Sequence, residues 1–179
     1  GKGPSQSRIN RILIGLAKKG LRVVRLKGGD PTIFARGGEE ISVLRREHVP
    51  FEILPGITAA TAGASSARVS ITHRTSASSS IFFTGQRKDG SVFAPPYLPD
   101  TSAVAYMSAS IASKVCKKML ELGWPPSTPA TAITNATMRD EKVLTTTISA
   151  LARSSRMLNS PTVIIFGVSG IGGARSRSR

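Results

Sequence analysis

The sequence predicts an α/β protein that holds a ligand at the carboxyl ends of parallel strands, and three observations carry the prediction. An apolar run over residues 21–26 stops at Gly28-Gly29-Asp30-Pro31, and a second over 51–54 stops at Pro55-Gly56. A helical pattern lies between them, the order of a strand–helix–strand unit. The polar run 75–80 then interrupts the chain, and strand and helix patterns restart after it.

Each element has a local reason. Ile9, Ile12, Leu13, Leu16 and Ala17 make one apolar helical face over 7–19, with Gly20 as a stop. The strand 21–26 follows, and Gly28 and Gly29 allow the backbone to approach a ligand with no Cβ in the way. A helix over about 38–47 carries Glu39 and Glu40 in its first turn and Arg45 and Arg46 in its last, a polarity that complements the helix dipole. That dipole role accounts for both glutamates without chemistry. After the strand 51–54, Thr58 is a suitable N-cap for a small-residue helix over 59–67, able to pack very close to a neighbour or a ligand.

Beyond the break, strands are expected at 80–84, 102–107 and 130–134, an edge strand at 142–147, and a last buried strand at 162–166. A helix bearing Ile111, Val115, Met119 and Leu122 on one face ends at Gly123, and a short one covers 148–152.

Composition sets bounds. The 179 residues suffice for one large domain or two small ones. No apolar run reaches the roughly 18 residues of a membrane helix. Cys116 is the sole cysteine, which excludes an internal disulfide and a cysteine metal cluster. The net charge of +15 suits an anionic partner or, equally, a soluble basic surface with an Arg-rich tail, and the nine aromatic residues offer little for stacking nucleic-acid bases. His48 and His73 have no metal-ligand spacing, so no metal is expected. Gly167-x-x-Gly170-x-Gly172 has the wrong spacing for a dinucleotide loop, and only seven residues follow it. His73 beside Arg74 is a possible anion contact or an ordinary exposed loop pair.

Four motifs in order resemble the tetrapyrrole methylases: Val23 to Pro31 with Ile33-Phe34, Arg36-Gly37-Gly38-Glu39-Glu40, Leu54 to Ala59, and Thr72-His73-Arg74. Within the family the pattern is most similar to the uroporphyrinogen-III C-methyltransferases. The dense part covers about 8–86. Ala105-Tyr106-Met107, Gly123 to Ala130 and Ser160 to Gly167 extend it more weakly.

The resemblance implies two α/β domains with S-adenosylmethionine (SAM) in the cleft between them, the first domain incomplete. The expected divisions are 1–76, 77–170 and a basic Ser/Arg tail at 171–179, expected to be disordered. By position, Gly28, Gly29, Asp30, Ile33, Thr58, Ala59, Met107 and Ala136 would bind the cofactor. Arg36 and Arg74 would meet the carboxylates of the substrate, uroporphyrinogen III, which the reaction would convert to precorrin-2 on the sirohaem and cobalamin route. Lys2 is the one candidate for a catalytic lysine. The resemblance further implies a homodimer. No membrane partner is expected, nucleic acid is disfavoured, and the expected location is the cytoplasm, or the plastid stroma if a transit peptide precedes Gly1.

Three departures stand out. The family's opening strand with its Gly-Pro-Gly-Asp loop and its Tyr-Asp segment are absent, as in a member lacking its beginning. Ser108 replaces a usual glycine, and Ala136 stands in Asn135-Ala136-Thr137 where the family has Asn-Gly-Thr. Two other functions fit the same residues: a non-catalytic basic module on a remnant methylase fold, and a methylase of this fold acting on another tetrapyrrole.

Overall fold

A computed structural model describes residues 3–154 and 158–168. Lys2 and the 171–179 tail lie outside the described residues, as do Gly170 and Gly172. The chain divides into two compact units, the first ending at Thr58 and the second beginning at Ala59. The polar run 75–80 therefore falls inside the second unit.

The first unit holds two helices, α1 (Gln6–Ala17) and α2 (Gly37–Arg46). Ser5 caps α1 by accepting the Arg8 N–H, and Gly20 closes it at φ 76°. Glu39 and Glu40 lie in the first turn of α2, Arg45 and Arg46 in its last, as the dipole argument requires. The strands expected at 21–26 and 51–54 are not formed. Neither run takes up regular secondary structure, and neither is hydrogen-bonded into a ladder with any described residue. The β-preference of residues such as Val23 and Val24 is realised only against a neighbouring strand, and among the described residues none pairs with them. Val24, Leu26, Leu54 and Ile57 consequently stay exposed.

The second unit is a five-stranded sheet in the order β1-β2-β5-β3-β4, built from β1 (Ser79–Thr84), β2 (Thr101–Tyr106), β3 (Pro129–Thr134), β4 (Lys142–Thr147) and β5 (Thr162–Phe166). The sheet is mixed rather than parallel: β1 and β2 run parallel, and β5 is antiparallel to both of its neighbours. The expected edge strand is β4, and the expected last buried strand, β5, is buried along its whole length.

Helices α4 (Ala112–Glu121) and α5 (Ile148–Arg153) complete the main core, in which Val115, Cys116, Met119, Leu151 and Ile148 pack with Phe83, Ala105, Ile164 and Phe166. Trp124 joins this core and donates its indole N–H to the Pro95 carbonyl at 2.9 Å. Helix α3 (Ala59–Ser66) packs on β5. Its small residues serve that packing: a Cβ on Gly63 would come within 2.9 Å of the Val163 side chain. Burial pushes the Cys116 thiol up to about 12, so this cysteine is a core residue and not a nucleophile.

Candidate functional site

Gly28-Gly29-Asp30-Pro31 turns at the end of the first apolar run. Asp30 holds the turn closed. Its Oδ1 accepts the Thr32 N–H at 2.8 Å and the Thr32 hydroxyl, and its Oδ2 accepts the Gly56 N–H at 3.1 Å. The Thr32 hydroxyl, then the Gly56 and Thr32 amides, hold the carboxyl below its ordinary range, so it is ionised at neutral pH.

Two close approaches require glycine. A Cβ on Gly56 would lie 2.6 Å from the Gly29 carbonyl oxygen, and one on Gly37 would lie 2.1 Å from that of Pro31. The turn is thus gripped from both sides by backbone. A Cβ direction at Gly28, by contrast, meets nothing within 4 Å, which leaves backbone open to a ligand. Ile33 closes the following turn with its N–H on the Asp30 carbonyl at 3.3 Å, and Thr58 is half-buried.

Behind the turn lies a charge cluster that sequence reasoning missed. Glu40 is buried, and its carboxylate accepts hydrogen bonds from Gln6 at 2.9 Å and Arg25 at 3.2 Å and pairs with Lys27 at 2.9 Å. Lys27 also donates to the Ala35 carbonyl at 2.6 Å. Burial raises the Glu40 pKa, but hydrogen bonds from Lys27, Gln6 and Arg25 outweigh it and hold the carboxyl below its ordinary range. The dipole explanation of Glu40 was therefore incomplete. A signal was present: in the strand expected at 21–26, Arg25 and the Lys27 that follows it, two apart, would point to the same side.

In the second unit the pairing directions place the carboxyl ends of β1, β2 and β3 at one edge of the sheet. Met107 follows β2 there, exposed and left-handed at φ 50°. Ala136 follows β3, half-buried between the left-handed residues Asn135 and Thr137. Non-glycine residues in this conformation cluster at ligand sites. Ala59 begins α3, and the next residue, Ala60, donates its N–H to the Tyr106 hydroxyl at 3.3 Å, which brings the start of α3 to β2. One sheet edge thus gathers Ala59, Met107 and Ala136.

Ser108, a departure from the expected glycine, fits because its Oγ accepts the Gly85 N–H at 3.1 Å and donates to the Tyr106 carbonyl at 2.9 Å. A side chain on Gly85 would strike that oxygen at 2.3 Å.

A family model for Tetrapyrrole (Corrin/Porphyrin) Methylases matches residues 2–152. The chain belongs to the tetrapyrrole methylases. It is 46% identical over 167 residues to a siroheme synthase of Nitrosospira multiformis, covering 90% of this chain and 35% of that protein. The siroheme synthase of Methylococcus capsulatus is 42% identical over 168 residues, with the same two coverages. The chain therefore spans about a third of the length of these relatives.

Among solved structures, the uroporphyrin-III C-methyl transferase of Thermus thermophilus in complex with S-adenosyl homocysteine superposes with a TM-score of 0.78. Its identity is 30%, over 90% of this chain and 73% of that one. The cobalt precorrin-4 methyltransferase gives a TM-score of 0.75 at 26% identity, over 92% of this chain and 72% of that one.

The two arginines expected to meet substrate differ. Arg36 caps the start of α2 in a left-handed conformation, and its guanidinium forks onto Glu39 through two bonds of 2.7 Å. Arg74 is exposed in the turn bridged by His73 and Ala77. The His73 ring is drawn to Thr75, its Nδ1 3.1 Å from the hydroxyl, and not to Arg74.

Proposed function

We propose that this chain is the SAM-binding part of a methyltransferase that methylates uroporphyrinogen III to precorrin-2. The observation that carries the reading is the Gly28–Asp30 turn, fixed by Asp30 and open at Gly28, on a chain of the tetrapyrrole methylases. SAM fits the residues present. The exposed Gly28 backbone admits a polar ligand closely, and at the second unit's sheet edge Ala59, Met107 and Ala136 offer small and apolar surface for an adenosine.

Gly28, Gly29, Ile33, Thr58, Ala59, Met107 and Ala136 are the proposed cofactor contacts. When bound, SAM supplies a methyl group on a positively charged sulfur, electrophilic toward an electron-rich pyrrole carbon. The chain's own contribution is to fix orientation, which is most of what such a transfer demands. Arg74 is the freer of the two anion contacts. Arg36 reaches a substrate carboxylate by exchanging it for Glu39. The base that removes the ring proton falls to Lys2 by resemblance. A cytoplasmic homodimer completes the proposal.

The test is incubation with SAM and uroporphyrinogen III followed by fluorescence of the methylated, oxidised products. Methylated bands that require both reagents support the reading, and SAM binding without turnover of this substrate moves it to another tetrapyrrole. A second reading, a basic nucleic-acid module, draws on the net charge of +15. It predicts affinity for DNA or RNA that falls steeply with salt, and indifference to SAM.

A further inference from the structure

Asp30 was expected among the cofactor ligands, and both of its oxygens also accept hydrogen bonds from within the protein. Oδ1 closes the turn on Thr32, and Oδ2 reaches across 26 residues of chain to the Gly56 N–H. The Gly56 backbone lies against Gly29 so closely that no side chain fits there. We propose that Asp30 is a positioning residue: a carboxylate clasp that locks the Gly28-Gly29 turn to the Pro55-Gly56 turn, so that the cofactor meets a preset backbone. The proposal rests on the SAM reading above. It assigns Asp30 a different part from that of a ligand.

The chemistry singles out one substitution. In Asp30→Asn, the one remaining oxygen keeps the turn to Thr32, which places the amide NH2 against the Gly56 N–H, donor facing donor. That change cuts the bond between the two turns and spares the local turn. Thr32→Val removes a single hydroxyl donor to Asp30 and is the milder variant. Because the clasp acts through the backbone, its loss weakens every ligand seated on that backbone alike. A direct ligand instead affects only molecules carrying the group it touches.

Two measurements on the full chain decide the matter. Amide hydrogen exchange without ligand reads the clasp itself: Gly56 N–H protection falls in Asp30→Asn. Unchanged Gly56 exchange overturns the proposal. Calorimetry with S-adenosyl homocysteine and with 5′-methylthioadenosine, which lacks the amino-acid portion, reads its consequence. Asp30→Asn weakens both by a similar factor of about ten or more, Thr32→Val by less, and the Thr32 effect vanishes in the Asp30→Asn background. A loss confined to S-adenosyl homocysteine makes Asp30 a ligand and overturns the clasp role, as does wild-type affinity in Asp30→Asn. If wild-type protein binds neither nucleoside, the SAM reading and the positioning role fall together, while the Gly56 exchange still reports whether the clasp exists.

Discussion

The two units were written in the same sequence grammar and folded to different degrees. In the second, β1 to β5 pair in a continuous sheet, and β2 and β5 are wholly buried. In the first, two runs with similar strand signals stay irregular and unladdered, with Val24, Leu26 and Leu54 exposed. The difference teaches that a strand signal is conditional. Side-chain pattern proposes a strand, and only a neighbour at ladder spacing makes one. What orders the first unit is polar: the Asp30 clasp and the buried Glu40 cluster.

If that contrast is right, the units should break by different chemistry. The largest loss is expected in the second unit from Phe166→Ala, which removes a fully buried ring from the sheet core, at about 3–5 kcal/mol. Urea unfolding followed at Trp124, in the same core, measures it. In the first unit Glu40→Ala leaves Lys27 and Arg25 without their carboxylate. The cost is about 3 kcal/mol, at the low end for a broken buried pair because Arg25 is partly exposed. Amide exchange over α1 and α2 should rise while α4 stays protected.

Acid sharpens the same contrast. Glu40 is held below its ordinary 4.5, so its contribution is complete above that pH and is lost as pH falls through the lower folded value. Exchange in α2 should therefore quicken below about pH 4.5, ahead of exchange in α4, whose main core is apolar.

Two smaller changes test the second unit. Tyr106→Phe deletes the bond to the Ala60 N–H and should cost about 1 kcal/mol, with faster exchange at the start of α3. Thr131→Val should act in the opposite direction. Among the described residues its buried hydroxyl lacks any partner, so a methyl group there should stabilise by about 1 kcal/mol in urea unfolding.

Most of the second unit was legible, because burial there follows side-chain pattern. The expected buried strand at 162–166 and the helix bearing Val115 and Met119 stand where the periodicity put them. The mixed strand directions were not legible, since they depend on connections that carry no periodicity. In the first unit the loop motifs were readable and the ladders were not. The roles of Lys27 and Glu40 were hidden because a dipole argument sufficed for Glu40, and the spacing of Arg25 and Lys27 suggests a shared side without showing what that side faces. Asp30 drew notice for its motif, while its partner Gly56, 26 residues away, emerged only from the fold.

We propose above that this chain presents a SAM site. Isothermal titration of the wild-type chain with S-adenosyl homocysteine tests it most directly. We expect saturable heat at one ligand per chain, weakened in Asp30→Asn. No heat from well-folded protein, together with salt-sensitive binding to nucleic acid, would contradict the account.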